Sequence, residues 1–469
     1  MASVKAYRDG DPSAPAFPDD FDVRQKAVLQ VTDIKTNRNK YYAVELHVTD
    51  GSYRVFTHYG RTDDLETNPN AGAKESRFFD DEDEAEACYQ NIYREKTSAS
   101  KGYKEVALAS SKIGSQKSRG SSSGAVDDKT IAKLKHDVSG PAVSSLAEPI
   151  QALVKMMYAE ATTALTTTVA AKITADGIET PLGILTLGQI EQGDAILAEL
   201  YVELQKPQAD TSNVERLSGE FYTAIPHRIG RSRAAIQASI IDTPEAFRTK
   251  QDTLQLMKDM LLVSSDGGVL FDAEVDAQYK ALRCEIRSVD RASTQWTELE
   301  TYVRMSQVKK KTIKVENIYM IKRPDEWDAY DGAVGNERQL YHGSRIQNWV
   351  GLLSRGILMP KLVVSMGGSR TDEGWLGNGI YFGDASCTSA AYTTPSTGGT
   401  RLMALARVAL GRISKFDKIT YGMTAPPAGF DSCHGVRNTA KRPTQFADDE
   451  FVVYQNNRQR MEALIEFTA

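Results

Sequence analysis

Apolar and polar residues alternate through three early stretches, Ala27–Asp33, Tyr41–Val48 and Tyr53–Tyr59, with the two-residue period of half-buried β-strands. Asp50-Gly51 separates the last two and predicts a tight hairpin, because glycine readily takes the positive φ such turns need. A helix is predicted over Asp83–Lys96, with acidic residues in its first turn and Arg94 and Lys96 in its last, where the helix dipole favours each. From Val138 to Ser265 the period becomes helical. Leu146, Ile150, Val154, Met157 and Tyr158 share one face, the runs Leu187–Leu204 and Pro244–Leu262 follow, and Thr186 is placed to cap the first of these runs. Beyond Asp276 strand-like runs return at Tyr279–Arg287, Thr312–Tyr319, Leu402–Gly411, Glu450–Tyr454 and Ala463–Phe467. No G-x-G-x-x-G follows a predicted strand, so a doubly wound sheet is not expected. The pattern is that of a multidomain α+β chain: a mobile Pro- and Asp-rich segment (1–20), a small mainly-β domain (21–109), a linker (110–127), an all-α helical bundle (138–265) and a mainly antiparallel two-sheet domain (276–469).

Composition narrows the function classes. A chain of 469 residues has room for roughly two to four domains with their own cores. It contains no apolar run long enough to span a bilayer, which takes about 18 residues or more, and its first residues lack the apolar core of a secretory signal, so an intracellular protein with no membrane partner is expected. Cys88, Cys284, Cys387 and Cys433 are scattered with no C-x-x-C pair, which supports neither a zinc finger nor a disulfide framework, and no metal is expected. A net charge of −5 leaves any nucleic-acid contact to a local patch. The 110–127 stretch is rich in Ser and Gly, with Lys112, Lys117 and Arg119, the composition of a flexible, solvated linker. Lys309–Lys311 is too short a basic run to assign nuclear import.

The candidate chemistry begins at Leu340–Pro360, where a strand-like run ends in His342-Gly343-Ser344 and an amphipathic helix carrying Trp349, Val350, Leu352 and Leu353 follows. Gly343 lets the backbone approach a flat ligand, Ser344 offers a hydroxyl, and His342 offers a ring for sugar hydroxyls. Such a loop suits a nucleotide, although an ordinary helix entry has the same residues. A second segment runs from Gly374 to Asp384 (GWLGNGIYFGD) and is followed by Ser386, Ser389 and Tyr392; a third, DDEFVVY, covers Asp448–Tyr454. In this order the three segments resemble the catalytic domain of the poly(ADP-ribose) polymerases, whose His-Tyr-Glu triad would be His342, Tyr381 and Glu450.

The resemblance implies NAD as the substrate and proteins, the enzyme itself included, as acceptors, with poly(ADP-ribose) as product. It places the nicotinamide carboxamide on the Gly343 backbone and the Ser389 hydroxyl, the ring between Tyr381 and Tyr392, the ribose hydroxyls at His342 and Ser344, and the adenosine side near Asn348. Glu450 would steady an oxocarbenium-like transition state and polarise the incoming hydroxyl, and in the family it goes with chain elongation. Single-unit transfer and an inactive DNA-binding scaffold are the competing readings. Leu358 and Thr388 stand where better-known members carry basic residues, and the loop Thr420–Phe446 shares little with them. His434 beside Cys433 does not read as a nucleophile pair, because adjacent residues in extended chain point apart.

The first domain resembles the WGR domain of DNA-dependent members through Asn39-Lys40-Tyr41-Tyr42, the Asp50-Gly51 hairpin and Tyr59-Gly60-Arg61, with Tyr59 where the name-giving tryptophan stands. This implies contact with DNA strand breaks, at a 5′-phosphorylated nick or end, through Asn39, Lys40, Tyr59, Gly60 and Arg61. Tyr59 would stack on a sugar or base, and Arg61 would pair with phosphate or bridge to a neighbouring domain. The plainer alternative is that Tyr59 packs and Arg61 is a solvated hairpin charge. Pro181–Leu187 and Phe221–His227 resemble the helical regulatory domain of the same members, which implies autoinhibition relieved by DNA.

Overall fold

The structure, a computed structural model, describes residues 4–120, 144–169, 172–174, 177–265, 275–308, 312–359 and 374–469. Residues 121–127 of the expected linker and Lys309–Lys311 lie outside the described residues. The chain forms two compact units, Met1–Asp137 with Leu165–Leu261, and Val138–Ala164 with Leu262–Ala469.

The first unit holds a six-stranded sheet of β1 (Tyr7–Arg8), β2 (Asp22–Asp33), β3 (Arg38–Thr49), β4 (Ser52–Arg61), β5 (Ala73–Phe79) and β6 (Lys104–Glu105), in the order β1-β5-β4-β3-β2-β6. The hairpin falls where expected: Thr49 pairs with Ser52, and Gly51 takes φ 84°. The helix Glu82–Thr97 starts with the Asp81 side chain accepting from the Glu84 amide at 2.9 Å. It seats Ala85 and Tyr89 on Ala27, Leu29, Val44 and Leu46. Each large apolar side chain buried this way stabilises the domain by roughly 1.5–3 kcal/mol.

Two segments expected to be loose are built into this unit. Tyr7 and Arg8 pair with β5, and Phe17 packs against Phe21 and Phe78 beneath the Arg54 guanidinium, so aromatic burial anchors residues that composition read as mobile. The stretch 108–120 is likewise ordered. β7 (Leu108–Ser111) joins β8 (Lys172–Thr174), β9 (Gly177–Glu179) and β10 (Gly183–Leu185) in a sheet ordered β7-β10-β9-β8. Ile113 is fully buried, and Ser115 and Ser118 bond to the carboxylate of Glu45. The region expected to be an all-α bundle therefore contains a small sheet beside its helices Leu187–Leu204, Thr211–Ala224, Arg233–Ala238 and Pro244–Ser265. Thr186 caps the first of these, its hydroxyl accepting from the Gln189 amide at 3.2 Å.

The second unit is organised by a nine-stranded sheet: β11 (Glu285–Ser288), β12 (Lys314–Lys322), β13 (Glu337–Gly343), β14 (Ile380–Gly383), β15 (Arg401–Ala409), β16 (Ile413–Phe416), β17 (Ser432–Gly435), β18 (Glu450–Val453) and β19 (Gln459–Thr468). Their order is β11-β12-β19-β15-β13-β14-β18-β17-β16, antiparallel except for the β16–β17 pair. β13 and β14 meet at the single pair Tyr341–Gly383, so the expected two sheets are two halves joined at one point. Tyr341, Met403, Leu405, Ile465 and Phe467 fill the core of one half; Leu376, Cys433, Phe446 and Val452 fill the other. Part of the expected strand Tyr279–Arg287 is instead the end of a helix, Val275–Ala281, because Tyr279 and Leu282 satisfy either period.

Candidate active site

Glu450 begins β18 at the join between the two halves. Its cross-strand neighbours are Gly383 on β14 and Gly435 on β17. Residues directly opposite in an antiparallel ladder present their side chains to the same face, so the carboxylate has a hydrogen on either side. Both positions are tight for any side chain, Gly435 the more severely. A Cβ on Gly435 would fall 2.5 Å from the Phe446 ring, and one on Gly383 would fall 3.2–3.3 Å from the Ser389 hydroxyl and the Thr388 side chain. Glu450 is only 8% exposed. Burial first, and then the charge of Asp448, pushes its carboxyl up to about 7.

His342 lies on β13. Its Nδ1 is 2.9 Å from the Tyr381 carbonyl oxygen, which can only accept, so the proton sits on Nδ1 and Nε2 is left as an acceptor. Burial favours this neutral ring by lowering its pKa, against that bond. Gly343 follows, and any Cβ there would collide with the carbonyl of Ser389. Glycine thus lets the helix Ser386–Ala390 lie against β13, with the Ser389 hydroxyl donating to the Tyr341 carbonyl at 2.9 Å. The hydroxyl oxygen keeps its acceptor capacity. Tyr381, on β14, donates to the Gly377 carbonyl at 2.7 Å and accepts from the Leu376 amide at 2.9 Å, and Gly374 leaves room for its ring. Tyr392, just past the helix, is largely exposed; partial burial, then the charges of Glu450 and Asp448, push the phenol up. Asn348 donates to the Ser344 hydroxyl at 3.1 Å, at the start of the helix Trp349–Arg355.

His342, Gly343, Tyr381, Ser389 and Glu450 are therefore gathered on three adjacent strands and the helix covering them. The arrangement brings together a glycine backbone, the hydroxyls of Ser389 and Tyr381, an imidazole and a carboxylate, a set suited to a planar cationic ring joined to a sugar. Among the described residues the hydroxyl of buried Thr388, beside Gly383, has no hydrogen-bond partner. Among the described residues no group of three or more His, Cys, Asp or Glu is placed to hold a metal, and no helix is long and apolar enough to cross a membrane.

A cluster beside Glu450 escaped the reading of the sequence. His434 Nε2 donates to Asp449 Oδ1 at 2.6 Å, and its ring stacks on Phe451 with centroids 4.2 Å apart. Arg437 donates from Nη2 to Asp384 Oδ1 at 3.1 Å, and its guanidinium also lies 3.3 Å from Asp449 and 3.7 Å from Asp448. Its backbone amide bonds Asp449 Oδ1 at 3.1 Å. Cys433 is buried in the core, apart from this cluster. The acids at 448 and 449 and the basic residues at 434 and 437 are visible in the chain, but only the strand register brings them together.

The residues expected to touch nucleic acid have mixed surroundings. Asn39 is a correction: it is buried, its amide donates to the His227 carbonyl at 2.9 Å, and its oxygen accepts from Gln30 at 2.8 Å. The burial follows from its strand position, which faces the helical segment. Tyr59 stacks on Tyr42 with centroids 5.2 Å apart and donates to Glu75 at 2.8 Å. Gly60 makes room for Tyr41 and Gly72. Arg61 donates to the Asn37 carbonyl at 3.0 Å, to Asp63 at 2.9 Å and to the Gly230 carbonyl at 3.3 Å, while Asp63 accepts from the amides of Ile229 and Gly230. The bridge to a neighbouring domain is the arrangement seen for Arg61. Lys40 is exposed.

Comparison with known proteins covers most of the chain. Residues 25–109 match the WGR domain, residues 144–266 the poly(ADP-ribose) polymerase regulatory domain, and residues 293–469 the poly(ADP-ribose) polymerase catalytic domain. Human protein mono-ADP-ribosyltransferase PARP4 is 33% identical over 69% of this chain and 18% of its own length. Mouse protein mono-ADP-ribosyltransferase PARP3 is 27% identical over 61% of this chain and 59% of its own. Poly [ADP-ribose] polymerase 2 of Arabidopsis thaliana is 25% identical over 89% of this chain and 65% of its own. The chain thus spans less than two thirds of each.

Proposed function

Because the chain belongs to the poly(ADP-ribose) polymerase family, with that family's WGR, regulatory and catalytic domains, we propose that it transfers ADP-ribose from NAD to proteins, itself among them, extends the product into poly(ADP-ribose), and is stimulated by DNA strand breaks. The observation that carries the transfer reading is Glu450, a buried carboxylate between two glycines, in the sheet that also carries His342, Gly343 and Tyr381 and against whose β13 the helix bearing Ser389 packs.

The chemistry follows from this placement. The bond between C1″ of the ribose and the nicotinamide nitrogen breaks, its electron pair leaves with nicotinamide, and positive charge develops on the sugar as in glycoside cleavage. Glu450 accepts a hydrogen bond from the adjacent ribose hydroxyl and lowers the energy of that cation. The acceptor's oxygen bonds to C1″ as its proton passes to Glu450 and then to water. Gly343 and Ser389 hold the carboxamide, Tyr381 and Tyr392 flank the ring, and His342 Nε2 accepts from a ribose hydroxyl. Ser344 holds a ribose hydroxyl beside His342, and Asn348 serves the adenosine side.

DNA stimulation rests on the WGR and regulatory domains, with Lys40 the most accessible of the candidate DNA contacts. Coupling requires a break to bind two states of the protein with different affinity. A DNA partner implies an intracellular site of action, nuclear in a eukaryote or at the nucleoid in a bacterium. Single-unit transfer is the second reading, favoured by the names of two relatives, which are called mono-ADP-ribosyltransferases. Incubation with labelled NAD, with and without a nicked 5′-phosphorylated duplex, followed by a denaturing gel, decides among these. Ladders stimulated by the nick support the proposal, DNA-independent single additions move it to mono-transfer, and no incorporation in either lane overturns it.

A further inference from the structure

We infer that Arg437 is a positioning residue for the transfer step: by tying Asp384, Asp448 and Asp449 to the end of β17, it holds the Glu450 carboxylate over the gap between Gly383 and Gly435 in the ionised form the reaction uses. This rests on Glu450 being the catalytic carboxylate.

The register makes the geometry specific. Gly383, Glu450 and Gly435 form one cross-strand row, and on each strand a charged residue stands within two positions of that row. β14 exits into Asp384, β18 is entered from Asp448 and Asp449, and β17 exits toward Arg437. The guanidinium is within 3.1–3.7 Å of all three acids, so it ties together the three strand ends beside the row, where β17 gives way to an isolated bridge between Arg437 and Phe446. His434 adds a second hold on Asp449 at 2.6 Å.

The charge balance gives the cluster a chemical consequence. Near Glu450 in the fold stand Asp448 and Asp449 just before its strand, Tyr381 on β14 and Asp384 just after it, His342 on β13, Tyr392 beyond the covering helix, His434 on β17 and Arg437 just after it. Arg437 carries a permanent positive charge among these groups. Burial and Asp448 already disfavour the Glu450 anion. Burial also works against the Asp449 anion, but the bonds from His434 and the Arg437 amide outweigh it and hold that carboxyl below its usual range. With Arg437 removed, Asp448, the charge that acts on Glu450, would lose a cationic neighbour 3.7 Å away, and the proton of Glu450 would be held to higher pH.

The test is steady-state nicotinamide release from NAD by Arg437→Gln, Arg437→Lys and Asp448→Asn, measured from pH 5.5 to 9 beside wild type and Glu450→Gln. For Arg437→Gln, kcat at pH 7 falls about tenfold and the acid limb of the profile moves up by about one pH unit. Its KM for NAD stays within about twofold of wild type and the deficit narrows to about twofold at pH 9, a pattern a purely structural role would not give. Arg437→Lys restores most of kcat, and Asp448→Asn moves the acid limb down, a readout that survives if Arg437→Gln fails to fold. A deficit of equal size at every pH, or wild-type profiles for both Arg437→Gln and Asp448→Asn while Glu450→Gln is inactive, overturns the inference alone. A fully active Glu450→Gln overturns both it and the reading beneath it.

Discussion

Two buried glutamates in this chain have opposite surroundings. Glu45, in the first unit, is fully buried and accepts from the Ser115 amide at 3.0 Å, the Ser115 hydroxyl at 2.6 Å, the Ser118 hydroxyl at 2.5 Å and His47 at 2.7 Å. Burial raises its pKa, but these donors outweigh the burial and hold the carboxyl below its usual range. Glu450 is nearly as buried, yet among the described residues no donor bond to its carboxylate accompanies its rise to about 7. A buried charge is tolerated when its hydrogen bonds are made inside the protein. Glu45 meets that condition and serves to hold the 108–120 segment in place. Glu450 does not, and in the proposed reaction a ribose hydroxyl and a developing cation would be its partners.

The largest effect expected on stability is at Glu45. Replacing it with Ala leaves His47, Ser115 and Ser118 without their buried acceptor, and unfolding of the first unit should become easier by about 3–5 kcal/mol. Urea melts followed by tryptophan-independent far-UV signal read this directly, and a loss under about 1 kcal/mol would remove the structural half of the comparison. The native bonds to Glu45 depress its pKa, so their stabilisation is present above the unfolded pKa and lost as pH falls through the folded one.

Glu450→Gln should do the reverse by a smaller amount. The folded pKa of Glu450 is raised, so its favourable contribution exists below the unfolded value near 4.5 and disappears as pH rises toward about 7. Above pH 7 the variant, which has no charge to bury, should be more stable than wild type by up to roughly 3 kcal/mol, with the difference vanishing near pH 4.5. Thermal unfolding of both proteins across that range checks the sign. Equal destabilisation at every pH would mean that Glu450 has structural partners after all.

Much of this contrast was legible in the sequence, and what was not has identifiable causes. The strands of the first domain follow from strict alternation, and β13, β14 and β18 from three motifs with glycines at close approaches. The docking of 108–120 was hidden because Ser115 and Ser118 look like linker residues until Glu45, about seventy positions away, is found beneath them. Asn39 was expected to face DNA, and Arg61 either to pair with phosphate or to bridge to a neighbouring domain; a strand position does not reveal which face a helical segment will cover, and here the His227 and Gly230 carbonyls take their donors. Arg437 was not legible because its partners lie on three strands whose register the sequence does not specify.

The most direct measurement is NAD binding and nicotinamide release by Glu450→Gln beside wild type at pH 8. Affinity within about threefold of wild type with turnover reduced by about a hundredfold or more is predicted, since the lost interaction belongs to the transition state. Turnover within about threefold of wild type would contradict the account, because the bare carboxylate at the strand junction would then have no part in the chemistry.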